Sequence, residues 1–177
     1  PELALLVRVV ERAFELSEAA STPVMLQLRI RACHLQGTFE CSDNVAPALS
    51  ARHPLREPAA PQASRMSHPP HTFVHERRKV EERLPAARRY IVEHGINEIF
   101  AGDAADVGLI VQGGLYNNLA RALAIIGAAD AQNALPVLVL NATYPLVPEQ
   151  LTGFCAGKRA VLVLEEGHPE FIEFELA

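Results

Sequence analysis

Cysteine is scarce in this 177-residue chain, with three residues in all, an odd number too small for a disulfide framework. That scarcity fits a reducing compartment and excludes the small secreted scaffold class. Positive charge is in deficit too: 16 Lys and Arg stand against 21 Asp and Glu, for a net charge of -5. Phosphate recognition leaves a basic stripe, and none is present, so a nucleic-acid binder is not expected. No uninterrupted apolar run is long enough to span a bilayer. The first residues carry neither a basic segment nor a small-residue cleavage site, so no export signal is expected, and the chain reads as a soluble cytoplasmic protein. At 49% hydrophobic and 21% charged, what remains is ordinary globular composition.

Three parts follow one another along the chain. In the first, up to Gly37, Leu3, Leu6, Val7, Val10 and Phe14 recur at helical spacing among Arg8, Glu11, Arg12 and Glu15. Ser21-Thr22-Pro23 breaks this helix, and Val24 to Ile30 then reads as a strand. One helix and one strand bury no core by themselves. The pair is expected to be the end of an incomplete domain, so that the chain is one segment of a longer one. Residues 38–72 hold six of the 13 prolines. Proline fixes φ and removes a backbone donor, so this part reads as a connector rather than a functional lid.

The third part, 73–177, alternates helical and strand patterns. Val80, Leu84, Ala87, Ile91 and His94 mark a helix that Pro85 should kink or split and Gly95 should end. Residues 97–101 suit a short edge strand, and Val107 to Gln112 suit a buried one. Gly113-Gly114 opens a helix from Leu115 to Ile126. Then come a strand from Val137 to Asn141, a helix from Pro148 to Ala156, a strand from Ala160 to Glu165 and a last helix from Pro169. Apolar strands alternating with helices imply a mostly parallel sheet covered on both faces, a three-layer α/β/α architecture.

Several groupings could carry chemistry. Gly113-Gly114, between a strand and a helix, could hold an anion on free N–H groups. The pattern is neither G-x-G-x-x-G nor a P-loop, and a tight turn is the plainer reading. Tyr116, Asn117 and Asn118 on the first helical turn could line a crevice at the carboxyl end of the sheet; capping or domain contact is their simpler role. Cys33, His34, Cys41, His53, His68, His71 and His75 are soft-metal ligand types, and His71 and His75 share a helix face if the helix starts that early. Their irregular spacing, without a C-x-x-C pair, favours scattered histidines over a zinc site. Glu165 and Glu166 follow the last strand. A desolvated pair could do acid–base work, but adjacent residues leaving a strand diverge, and one of them is expected to face a neighbouring domain. No G-x-S-x-G elbow is present, so residue chemistry supplies no complete catalytic set.

The segments Val107 to Leu123, Pro136 to Leu151 (with Tyr144-Pro145-Leu146) and Lys158 to Gly167 (with Glu165-Glu166-Gly167) together resemble the transketolase C-terminal-like domain of thiamine-diphosphate-dependent 2-oxoacid:ferredoxin oxidoreductases. Ser21 to His34 is similar to the end of the pyrimidine-binding domain in the indolepyruvate:ferredoxin oxidoreductase branch. The resemblance covers nearly the whole chain. It implies the end of a pyrimidine-binding-type domain over 1–37, a linker over 38–72 and a transketolase C-terminal-like domain over 73–177. It further implies a larger enzyme that decarboxylates arylpyruvates such as indolepyruvate, captures the acyl group with coenzyme A and passes electrons to ferredoxin. Thiamine diphosphate, Mg²⁺ and iron–sulfur clusters are implied for that whole enzyme and none for this segment. Ala101-Gly102-Asp103 is not followed by Gly, so the Gly-Asp-Gly type motif is missing, and three cysteines cannot supply a four-cysteine cluster. The segment is expected to orient domains and to pack against other domains and subunits, and a homodimer is compatible with it. Arg31 and His34, after the first strand, could contact an oxoacid carboxylate, against the plainer role of a surface loop. Pyruvate or 2-oxoglutarate oxidoreductases, or a stand-alone α/β module with an anion at Gly113-Gly114, are the alternatives.

Overall fold

A computed structural model describes residues 3–34, 36–46, 66, 68–103, 106–128 and 135–177. Helix α1 (Leu3–Ala20) is followed by a helical turn, α2 (Ile30–Cys33). Next comes a nearly continuous helical rod made of α3 (His71–Arg78), a π-helical turn (Lys79–Arg83) and α4 (Leu84–Glu93). Strands β1 (Glu98–Phe100), β2 (Val107–Gln112), β3 (Val137–Leu140) and β4 (Ala160–Leu164) alternate with α5 (Tyr116–Ile125) and α6 (Pro148–Cys155). Helix α7 (Phe171–Leu176) closes the chain.

The four strands form one sheet in the order β1-β3-β2-β4, with β2 parallel to both neighbours and β1 antiparallel at the edge. Side chains alternate across the sheet, so each strand feeds two cores. Ile110, Leu138 and Leu140 pack with Leu151 and Phe154 of α6 and Ile172 of α7. Leu109, Val111, Val137 and Val139 pack on the other face with Leu119 of α5. Helices therefore cover both faces of the central strands, and the expected α/β/α layering is borne out.

Two helices end as their glycines require. Gly95, at φ +58°, lets the Ile96 N–H reach the Ile91 carbonyl at 3.0 Å while its own N–H reaches that of Val92 at 3.2 Å. Gly127, at φ +71°, ends α5 with the same pair of bonds, Ala128 to Leu123 and Gly127 to Ala124. A side chain at such positive φ would be strained.

Three sequence expectations need correction. Residues 23–29 form no strand: no described residue pairs with them, and the segment is largely exposed, so its backbone groups face water in place of a ladder. Met25 is accordingly 82% exposed. The helical rod begins at His71, two residues before the expected boundary at Phe73. Pro85 sits in the first turn of α4, so the expected division of the helix falls at the junction just before it. The π turn just before it takes up the hydrogen bonding that proline cannot make, with the Leu84 N–H reaching back to the Lys79 carbonyl. That turn adds a residue to the repeat and rotates the stripe, so Ala87, Tyr90 and Ile91 are buried while Val80 is 62% exposed.

The third difference lies in α1. It forms where its periodicity predicts, yet it lies on α4 with Leu6, Val9, Ala13, Leu16 and Ala20 at least half-buried. Val7, Val10 and Phe14 of the expected stripe stay exposed. A hydrogen bond from the Tyr90 hydroxyl to Glu15 Oε2, 2.6 Å, ties the two helices. Burial pushes the Tyr90 hydroxyl above its ordinary pKa, with the Glu15 bond adding to the effect. The same bond, and then nearby Arg12, hold the Glu15 carboxyl below its ordinary value despite a smaller opposing effect of desolvation. A carboxyl with a lowered folded-state pKa contributes stability above the unfolded value. That contribution is lost as pH falls through the folded one.

Candidate functional site

Parallel strands end together, and the ends of β2, β3 and β4 bring Gln112, Asn141, Glu165 and Glu166 to one rim of the sheet. Open α/β folds collect ligands at this rim. Past Gln112 the chain makes a 3₁₀ turn, Gly113–Leu115, before α5. A Cβ on Gly113 would lie 2.3 Å from Asn141 Oδ1, so only glycine lets the two segments approach. The Asn141 amide is held in place, donating to the Ile96 carbonyl at 2.8 Å and to Glu98 Oε1 at 3.0 Å. Beneath it, buried Asn97 donates to Gln150 Oε1 and accepts from the Ala142 N–H, which leaves neither end of its amide unpaired.

Arg29 crosses from the irregular segment after α1 to this rim. Its Nη1 donates to the Gly114 carbonyl at 3.1 Å and its Nη2 to Glu166 Oε1 at 2.7 Å. A Cβ on Gly114 would come within 3.0 Å of Arg29 Cδ. The Glu166 N–H in turn donates to Gln112 Oε1 at 3.0 Å. Glu165 points the other way. Its carboxylate accepts from the Ile172 N–H at 2.9 and 3.1 Å and from that of Glu173 at 3.4 Å, capping the start of α7. Two adjacent carboxylates thus do two jobs, one anchoring a helix and one receiving an arginine from a distant part of the chain.

The remaining candidates disperse. Tyr116 is half-buried and stacks on Phe100 with ring centroids 5.1 Å apart, whereas Asn117 and Asn118 are exposed. Arg31 lies in α2, where only its backbone is described, and His34 is exposed just after it. His71 and His75 do share a face of α3, since the helix starts at His71. His53 lies outside the described residues. Among the described residues no group of three or more His, Cys, Asp or Glu is placed to hold a metal ion.

These residues do not fit a diphosphate–Mg²⁺ group. The space over Gly113 holds Asn141, the Gly114 carbonyl is taken by Arg29, and the two rim carboxylates diverge. An iron–sulfur cluster fits no better, with two of the three cysteines exposed and the third half-buried.

The residue that sequence reasoning missed is Arg29. Its signal is a lone positive charge near the end of the apolar run Val24 to Ile30, which was available but had no position to attach to without the fold. Because the Arg29–Glu166 pair is partly exposed, its net contribution to global stability is small. Arg29→Ala should therefore leave the thermal midpoint nearly unchanged while speeding proteolytic cleavage between Thr22 and His34. Equal cleavage rates in the two proteins would show that the bridge does not hold the segment.

No family model matches the chain, and no solved structure matches it. Three curated relatives do, each described as indolepyruvate oxidoreductase subunit IorA. That of Methanothermobacter thermautotrophicus is 30% identical over 161 residues, covering 89% of this chain and 24% of the relative. That of Methanothermobacter marburgensis is 28% identical over 165 residues, 91% of this chain and 24% of the relative. The Archaeoglobus fulgidus protein is 28% identical over 167 residues, 92% of this chain and 24% of the relative. The chain thus spans about a quarter of the length of the relatives it matches.

Proposed function

From the relationship of this chain to the indolepyruvate oxidoreductase family over nearly its whole length, we propose that it works as a segment of a 2-oxoacid oxidoreductase. The whole enzyme would oxidatively decarboxylate arylpyruvates such as indolepyruvate to acyl-coenzyme A, with ferredoxin as electron acceptor. Thiamine diphosphate, Mg²⁺ and iron–sulfur clusters would be held by parts of that enzyme other than this segment. Residues 73–177 would serve as a transketolase C-terminal-like domain that orients its neighbours, and Arg31 and His34 remain the candidates for an oxoacid carboxylate.

The observation that carries the assembly role is the Arg29 bridge. The rim of the sheet where a ligand would be expected is engaged by the chain's own N-terminal segment, through the Gly114 carbonyl and Glu166. A rim used in this way fixes one part of an enzyme against another. An anion approaching Gly113 from the side where a Cβ would stand meets the Asn141 Oδ1 atom, 2.3 Å from that point.

Calorimetric titration of the chain with thiamine diphosphate and Mg²⁺ tests this reading. The expected result is no saturable heat. Stoichiometric micromolar binding would place a cofactor site in the segment itself and overturn the assembly role.

A further inference from the structure

Strand β4 forms one edge of the sheet, and among the described residues nothing pairs with its outer side. Proteins that must avoid edge-to-edge pairing blunt such strands with charges, proline, bulges or shortness. The opposite edge, β1, is three residues long and carries Glu98. By contrast β4 reads Ala-Val-Leu-Val-Leu, with no charge or proline inside it, and Leu162 on its α5 face is 58% exposed.

The backbone groups available at this edge can be assigned. The Ala160 N–H donates to the Asp106 carbonyl at 3.3 Å, toward β2. Alternation along a parallel strand then directs Leu162 and Leu164 toward β2 as well, and turns the N–H and C=O groups of Val161 and Val163 outward. These two residues flank Leu162 symmetrically. An identical strand run antiparallel about a two-fold axis at Leu162 would pair Val161 with the other copy's Val163 through both bonds, and Val163 with its Val161. Leu162 would face its own counterpart at the close, non-hydrogen-bonded position.

Charge selects the same arrangement. The strand is preceded by Lys158-Arg159 and followed by Glu165-Glu166. Antiparallel self-pairing brings Arg159 and Lys158, the latter now over the Phe154 ring, to the ends that carry Glu165 and Glu166, so the added cations meet carboxylates already engaged by the α7 N–H groups and by Arg29, whereas a parallel partner copy would set like charges opposite each other. Opposite-charge cross-strand pairs stabilise a sheet and like-charge pairs disfavour it. Among the described residues the Arg159 side chain makes a 3.3 Å contact to Asp106, between two well-exposed side chains, a weak pair that can yield.

We propose that a second copy of this chain docks on β4, joining two four-stranded sheets into one continuous sheet of eight across a two-fold axis at Leu162. The contact is isologous, so it closes as a dimer and does not propagate. It covers the exposed Leu162 face and removes the one long unpaired edge among the described strands.

Two measurements test this surface. In sedimentation equilibrium the chain should be a concentration-dependent dimer. Leu162→Lys, which puts like charges on the axis, should be monomeric with unchanged circular dichroism. The register is read separately in a chain whose exposed Cys33 and Cys41 are changed to Ser. A non-hydrogen-bonded antiparallel pair has Cα atoms about 4.5 Å apart, within disulfide range. Leu162→Cys should therefore cross-link two copies on mild oxidation. Ala160→Cys should not, because its counterpart lies roughly 14 Å away along the strands. A wild-type chain that stays monomeric at every concentration overturns the proposal, as does a Leu162→Lys dimer. So does equal cross-linking at positions 160 and 162, and a monomer whose β4 edge is covered by some other segment counts against it in the same way.

Discussion

Leu138→Ala should lower the unfolding free energy by about 2–5 kcal/mol, the range for emptying a packed aliphatic site. Leu138 lies in β3, between β1 and β2, and is fully buried among Ile110, Leu140, Leu151, Phe154 and Ile172. Its neighbours come from two other strand positions and two helices. The cavity cannot close by moving one flexible element, so both the transfer term and the void are felt. For a chain of this size each kcal/mol shifts the thermal midpoint by about 2–4 °C. Leu162→Ala, at an exposed position of β4, is the comparison and should cost less than about 1 kcal/mol in the monomer. Chemical denaturation of both variants at low protein concentration checks the pair. Equal losses would mean that the core does not run through β3 as described.

Gly113→Ala should cost about 1–3 kcal/mol, from overpacking and from hydrogen bonds that must break. The new methyl would sit 2.3 Å from Asn141 Oδ1, and Asn141 cannot swing away without releasing the Ile96 carbonyl and Glu98. Gly114→Ala is the control. There the methyl meets Arg29 Cδ at 3.0 Å, on a long side chain that can give way, so the cost should stay below about 1 kcal/mol. Introducing Gly113→Ala into an Asn141→Ala background should cost less than it does alone, since neighbouring substitutions couple through the shared clash. Identical costs for the two glycines, or strict additivity with Asn141→Ala, would remove the close-approach account of Gly113.

Much of the fold was legible because strand and helix periods differ so clearly. Val107 to Gln112 is a strand over the whole expected span, and the strands at Val137 and Ala160 end one residue early. Gly95 and Gly127 stop their helices by a purely local mechanism, a backbone conformation that side-chain-bearing residues resist. The errors occur where a neighbour decides the outcome. Val24 to Ile30 has strand composition, but a strand exists only by pairing, and no described partner lies beside it. The apolar stripe of α1 is real, yet α4 receives a smaller-residue face of that helix, leaving Phe14 73% exposed. In the candidate site, Gly113-Gly114 and Glu165-Glu166 were visible as a turn and a carboxylate pair. Arg29 and Asn141 were not, because the contacts that make them matter join residues far apart in the chain.

The amino-acid sequence by itself determined the alternating elements, the mostly parallel sheet with helices on both faces, and the family resemblance. Each of these depends on short-range patterns of apolarity, glycine and proline that any folded context must respect. Only the tertiary structure decided which face of α1 is buried, that Glu165 caps α7 while Glu166 receives Arg29, and that β4 presents an open edge flanked by opposite charges. The Glu165 cap is local, seven residues from its partner, but which of the two carboxylates turns to α7 depends on where Arg29 lies, and a contact such as Arg29–Glu166, 137 residues apart, leaves no period in the sequence to read.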